Sequence, residues 1–194
     1  MSIHDDFDKF LTTRSNGKQI RDACSMYKRA VDNCAYELNG RLKSGLVLEE
    51  PMLSLFNDLT LAICAKNLDE LVLYRKTSDT EFVGPLIDAV RGDQLRYAAF
   101  FSTSGDIDKI CNMAISSGTP LILEIKCPPG TYMAPIEAVQ STQEDEFLLG
   151  AGTQFSVAGI SSVAVGGTSV ASLQLTVVGS PTYAVSSKDS VFEF

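Results

Sequence analysis

The chain is poor in positive charge, nearly devoid of histidine and free of long apolar runs. Sixteen Lys and Arg face twenty-four Asp and Glu, a formal net charge of −8. That balance argues against non-specific binding to nucleic acid or an anionic membrane, which needs a basic footprint. An acidic protein is better matched to a basic partner surface. The sole histidine, His4, lies in a polar N-terminal segment and reads as a surface residue. The five cysteines include no Cys-x-x-Cys pair, so no zinc-type spacing exists and no metal is expected. Cys24, Cys34 and Cys127 fall at apolar phases, where a free thiol packs as a small hydrophobe. Reduced thiols in a cytoplasmic protein are the expectation. The N-terminus lacks the basic region and apolar core of a Sec signal, and no run is long enough to span a membrane. Neither a Gly-x-Gly-x-x-Gly fingerprint nor a P-loop is present, which argues against Rossmann-type dinucleotide binding.

What is there is an ordinary globular composition. An apolar fraction of 45% in 194 residues is enough for a substantial core and argues against disorder. The first third reads as helical. Ile20, Cys24, Tyr27, Val31, Cys34 and Leu38 recur at steps of four and three, one stripe of an amphipathic helix with Gly40 as its stop. A second helix is predicted from Pro51, carrying Met52, Phe56, Leu59 and Ile63, with Asn67 closing it. From about residue 70 the texture becomes strand-like: 71–75, 97–103, 121–127, 144–149, 153–158, 161–166, 170–178 and 182–186. Residues 84–91 read as a short helix or turn, Asp106 as the cap of a helix through Ile107 and Ile110, and Gly166-Gly167 as a hairpin turn. Helices followed by a run of strands predict an α+β protein. A single domain over 1–194 is expected, with a helical lobe at 1–68 and a β-rich part at 69–194.

Three pieces of this β-rich part carry polar residues that a strand does not need. They are Leu-Val-Leu-Tyr-Arg at 71–75, Phe-Phe-Ser-Thr-Ser at 100–104 and Glu-Asp-Glu-Phe-Leu-Leu at 144–149. An arginine fork suits phosphates, a carboxylate suits a developing sugar cation, and a hydroxyl can orient that carboxylate. Singly, each piece also fits an ordinary strand end, a helix cap or an acidic turn.

Their order and local sequence resemble the ADP-ribosyltransferases of the Arg–Ser–Glu group, which includes bacterial arginine-modifying toxins and small phage transferases. Tyr74-Arg75 meets the family's first strand, Ser102-Thr103-Ser104 its Ser-Thr-Ser strand, and Glu144-Asp145-Glu146 with the following Phe147-Leu148-Leu149-Gly150 its Glu-x-Glu strand. The stretch 121–130, ending Lys126-Cys127-Pro128-Pro129-Gly130, resembles the strand before the catalytic loop. The likeness covers roughly residues 71–157.

The resemblance implies a β-sandwich core behind the helical lobe and NAD as substrate. It makes Glu146 the carboxylate beside the nicotinamide ribose, Arg75 the grip on the pyrophosphate, and Ser102 the partner of Glu146 or of that ribose. Thr103 supports the strand, and Tyr74 belongs to the cofactor-binding strand. Glu144, two residues before Glu146, would share its strand face and engage the acceptor. In the family a Glu there accompanies arginine as acceptor. The implied partner is therefore a protein with an exposed arginine, met in the cytoplasm, including that of a host after delivery or phage expression. Two departures stand out. The stretch Ile110-Cys111-Asn112-Met113-Ala114 lacks the family's aromatic, and residues 135–143 lack the aromatic that often holds the target, leaving Tyr132 at the loop's base. The alternatives are an NAD glycohydrolase, a transferase acting on nucleic acid, or a non-enzymatic β-rich assembly module.

Overall fold

The computed structural model describes residues 2–82, 94–111, 113–115, 117–165, 167–181 and 191–194. Four helices come first: α1 (Ile3–Thr12), α2 (Gly17–Lys28), α3 (Cys34–Lys43) and α4 (Met52–Ala62). The long apolar stripe is divided between two of them. Between α2 and α3 the chain passes through a single 3-10 turn in which Ala30, Asp32 and Asn33 have φ of 46°, 50° and 60°. These left-handed residues break the helix, yet Ile20, Cys24, Tyr27, Cys34 and Leu38 still reach one core. Gly40 lies inside α3. The stopping glycine is Gly45, whose φ of 64° lets its N–H reach Leu42 O while Leu46 N–H reaches Arg41 O, a Schellman closure. Helix α4 begins directly after Pro51, as predicted, and ends five residues before Asn67.

Among the described residues ten strands follow: β1 (Ala65–Lys66), β2 (Leu71–Ser78), β3 (Gln94–Arg96), β4 (Phe101–Ser104), β5 (Pro120–Cys127), β6 (Tyr132–Pro135), β7 (Glu146–Leu149), β8 (Gln154–Val165), β9 (Thr168–Gly179) and β10 (Phe192–Glu193). A short helix, α5 (Ile107–Cys111), follows β4, and Asp106 caps it by accepting from Asp108 N–H. The two strands expected at 153–158 and 161–166 are one long strand with a register shift between Val157 and Gly159. It forms a hairpin with β9 around Gly167, whose φ is 80°. The strand expected over 97–103 starts only at Phe101. The readings at 84–91 and 182–186 lie outside the described residues.

The strands form one sheet in the order β10-β1-β6-β7-β4-β2-β5-β9-β8-β3. One apolar cluster draws on every strand from β2 to β9, including Leu73, Leu95, Phe101, Leu123, Met133, Phe147, Phe155 and Leu173, so the sheet curls around it. A second cluster joins the helices to Phe100, Ala134 and Leu148. At the middle of the order β4 pairs with β7 along its whole length, placing Ser104 opposite Glu146 and Ser102 opposite Leu148. Strands β4 and β2 share only the pair Tyr74–Ser104 and then part. The sheet therefore opens where the three sequence motifs lie. Among the described residues no helix is long and apolar enough to cross a membrane.

Asn67 is a structural bolt rather than a helix end. Its buried amide donates to Asp69 O at 2.7 Å and to Cys127 O and Pro128 O at 3.0 Å each, while its oxygen accepts from Thr131 N at 2.8 Å. Asn67→Ala takes the side-chain donor from Asp69 O and Cys127 O, while Pro128 O keeps Thr131 Oγ1 at 2.7 Å and Thr131 N–H keeps Pro128 O at 3.2 Å, and is expected to cost about 1–3 kcal/mol in urea unfolding. A loss under about 0.5 kcal/mol would show that water replaces the amide.

Candidate active site

The site is built where β4 and β7 run side by side. Ser102 Oγ donates to Glu146 Oε1 at 2.5 Å. Across the gap, Arg75 Nη1 donates to the Ser102 carbonyl at 3.0 Å, and its guanidinium carbon lies 4.7 Å above the Phe101 ring. All three motifs thus meet at Ser102. The Arg75 fork is also met by Glu81, Nη2 to Oε1 at 3.3 Å, and the same oxygen takes Lys43 Nζ at 3.2 Å. Arg75 Nε is buried with no hydrogen-bond partner among the described residues.

Thr103 and Tyr74 do not join this convergence. Thr103 Oγ1 is buried and donates to Phe147 O at 2.7 Å, which ties β4 to β7. Tyr74 sits opposite Ser104 and Glu124 in the sheet, and adjacent strand residues project to opposite faces, so it cannot share a face with Arg75. Burial, then the Glu124 charge, push its hydroxyl pKa up.

Glu144 requires a correction. The strand begins at Glu146, and Gln143 and Asp145 have φ of 63° and 53°. Glu144 therefore lies in a turn, and strand alternation does not set its direction. What couples it to Glu146 is charge: burial first, then the Glu146 carboxylate, raise its pKa above the usual range. Tyr132 also departs from expectation. It opens β6 opposite Lys66 and packs against the helical core, at the far end of the strand from the loop.

Sequence reasoning misses three residues that hold the site. Lys28, the last residue of α2, has a completely buried side chain and donates to Glu146 Oε2 at 2.6 Å and to Glu137 Oε2 at 3.1 Å. Glu137 in turn accepts from the backbone N–H groups of Thr142 at 2.7 Å, Gln143 at 2.6 Å and Glu146 at 3.3 Å. One carboxylate thereby shapes the turn that delivers Glu146. His4 is buried, contrary to the surface reading. Its Nε2 pairs with Asp145 Oδ1 at 2.8 Å, its Nδ1 accepts from Glu137 N–H at 3.3 Å, and its ring packs on Phe147. The only sequence sign for Lys28 is its position next to Tyr27 in the apolar stripe. Gly105 fits the same crowding, since a Cβ there would strike the Asp145 carboxylate and sit 3.1 Å from the Phe147 ring.

Burial alone would raise the Glu137 pKa. The Lys28 ammonium and the Gln143 and Thr142 N–H groups outweigh it and hold the carboxyl at about 2, against 4.5 for an ordinary glutamate. A pKa lowered on folding contributes stability that is complete above the unfolded value and is lost as pH falls through the folded one. The stability gap between wild type and Glu137→Gln is therefore expected to be widest at neutral pH and to close between pH 4.5 and about 2. Urea unfolding across that window measures it, and a gap that ignores pH would contradict the assignment.

No protein-family model matches the chain, and no curated protein matches it in sequence. Solved structures do match. Plx2a, an ADP-ribosyltransferase toxin from Paenibacillus larvae, is similar at a TM-score of 0.67 and 18% identity, over 89% of this chain and 91% of that one. The Clostridium limosum C3 exoenzyme is similar at 0.68 and 16%, over 90% of each chain. BECa, an ADP-ribosylating toxin of a C. perfringens binary enterotoxin crystallised with NADH, gives 0.59 and 16%, over 78% of this chain and 42% of that one. At such identities the likeness speaks for the architecture: this chain has the fold of ADP-ribosyltransferase toxins.

Proposed function

We propose that the chain is an NAD-dependent mono-ADP-ribosyltransferase that modifies arginine on a target protein, with 1–194 acting as one unit. The observation that carries this is the meeting of Arg75, Ser102 and Glu146 around one residue, with Ser102 Oγ 2.5 Å from Glu146 Oε1. Three pieces from three strands converge as the chemistry requires, in a fold shared with such toxins.

The mechanism follows from charge. The nicotinamide–ribose bond breaks with its electron pair leaving on the nicotinamide nitrogen, and the ribose carbon becomes cationic. Glu146, pinned by Ser102, is the buried carboxylate that stabilises this cation and accepts from a ribose hydroxyl. Arg75 holds the pyrophosphate, exchanging Glu81 for phosphate oxygens. A nitrogen of the target arginine then bonds to the ribose carbon and gives up a proton. Glu144 is the acceptor of that proton, and its raised pKa makes it a better base than an ordinary glutamate. The net charge of −8 favours a basic protein target over nucleic acid. The residues argue for no metal in this chemistry, since the cation is met by carboxylates alone. Water as acceptor, an NAD glycohydrolase, is the second reading, favoured by Tyr132 lying away from the loop and by the lack of an aromatic in residues 135–143.

Glu146→Ala is expected to lower NAD cleavage and transfer by ~100-fold or more, because the cation loses its counter-charge. Near-normal turnover in the folded variant would remove the central residue of the reading. Glu144→Gln separates the two acceptors. It keeps size and loses the base, so transfer to agmatine should collapse by roughly 10²-fold while slow NAD hydrolysis persists. Equal loss of both activities would place Glu144 in the NAD site. Hydrolysis with no transfer to agmatine or to lysate proteins by the wild-type chain would establish the glycohydrolase.

A further inference from the structure

We infer that Lys28 is a positioning residue for this reaction: its buried ammonium is the counter-ion that lets the Glu137 and Glu146 carboxylates stand side by side and fixes the second oxygen of Glu146. The inference rests on the reading of Glu146 as the carboxylate beside the ribose.

The geometry assigns each oxygen of Glu146 its own partner. Oε1 receives Ser102 at 2.5 Å and Oε2 receives Lys28 at 2.6 Å, so the carboxylate plane is held from two sides. The Lys28 side chain shows no solvent exposure, and those of Glu146 and Glu137 are 5% and 14% exposed, so water screens these charges little. An isolated ammonium would not be stable there, and neither would two adjacent carboxylates without a cation. Each makes the other tolerable.

Among the described residues, the groups that surround these carboxylates add no second ammonium hydrogen-bonded to Glu137 or Glu146. From α2, Cys24 and Tyr27 face Glu146, and burial above all, with the Glu146 charge, pushes the thiol and phenol pKa values up so that both stay neutral. From the loop, Glu144 adds a third carboxylate. From β4, Ser102 supplies a neutral hydroxyl. From β2, the Arg75 fork is committed to Ser102 O and Glu81. From α1, His4 is engaged with Asp145 and the Glu137 N–H. One ammonium against the carboxylates of Glu137, Glu144 and Glu146 leaves the pocket net negative, which suits a cationic transition state. Removing Lys28 overshoots that balance, and a carboxylate must then take up a proton. A protonated Glu146 cannot stabilise the sugar cation.

The test compares wild type with Lys28→Met, Lys28→Arg and the double variant Lys28→Met/Glu137→Gln. Glutamate carboxyl carbons are labelled and titrated by NMR, with Glu146→Gln and Glu137→Gln assigning the signals. In Lys28→Met, the carboxyl titration of Glu137 is expected to move up by ~1 pH unit or more, and Lys28→Arg to restore it. Cleavage of NAD by Lys28→Met should fall ~10-fold or more in kcat at neutral pH with KM within ~3-fold, and recover as pH rises. Should Lys28→Met fail to fold, the double variant is expected to regain the fold, because it removes one of the two stranded carboxylates. Unchanged titrations in a folded Lys28→Met, or a double variant no better folded than the single, overturn the counter-ion role. A shifted titration with unchanged kcat overturns the positioning role. The titration does not depend on turnover: a wild type that never cleaves NAD refutes the transferase reading and the positioning role with it, while the titration still decides the counter-ion.

Discussion

A single buried ammonium shared by two carboxylates, Glu146 buried and Glu137 half-buried, is the constraint on which the rest of the site depends. Lys28 closes α2, and its charge can be buried only because Glu137 and Glu146 meet it. Glu137 then commits its remaining lone pairs to the N–H groups of Thr142, Gln143 and Glu146. A helix, a turn and a strand are thereby fixed relative to one another through one set of charge-assisted hydrogen bonds. His4 repeats the device from α1, bridging Asp145 and the Glu137 backbone. The helices are therefore part of the site and not only its cover.

The sheet contributes an opening. Full pairing of β4 with β7 holds Ser102 diagonally across from Glu146, while the single shared pair between β4 and β2 lets the strands separate beyond Tyr74. Arg75 reaches across that separation to the Ser102 carbonyl. Glu81 occupies the outer edge of its fork and also holds Lys43 from α3. Burial opposes the ionisation of Glu81, but Thr77, Arg75 and Lys43 outweigh it and hold its pKa below the usual range. An anion is thus already at home between these two cations, which is the environment a pyrophosphate would require.

Much of this architecture is legible in the residue pattern. The alternation in 121–127 and the apolar run at 71–75 mark strands within a few residues of β5 and β2, and Pro51 marks the start of α4. The three polar motifs are readable because a strand has no use for them. Boundaries are misplaced where backbone conformation departs from pattern. The stripe from Ile20 to Leu38 keeps helical spacing across a left-handed turn, because both helices pack on one core and periodicity records only the buried side. Glu144 reads as a strand residue because the two-residue spacing of an extended chain looks the same in sequence as a turn through Asp145.

Sequence by itself determined the residue types available for chemistry: an arginine on an apolar strand, a hydroxyl strand and paired acids. It also determined which segments carry a buried face. Only the tertiary structure decided which charge meets which. Lys28 lies 118 residues from Glu146 and 109 from Glu137, and beyond its place next to Tyr27 nothing in the local pattern of α2 distinguishes it from a solvated lysine. Pairing at that separation is set by how the helices close over the sheet. The cost of burying a charge then leaves only arrangements in which the ammonium and the carboxylates find each other.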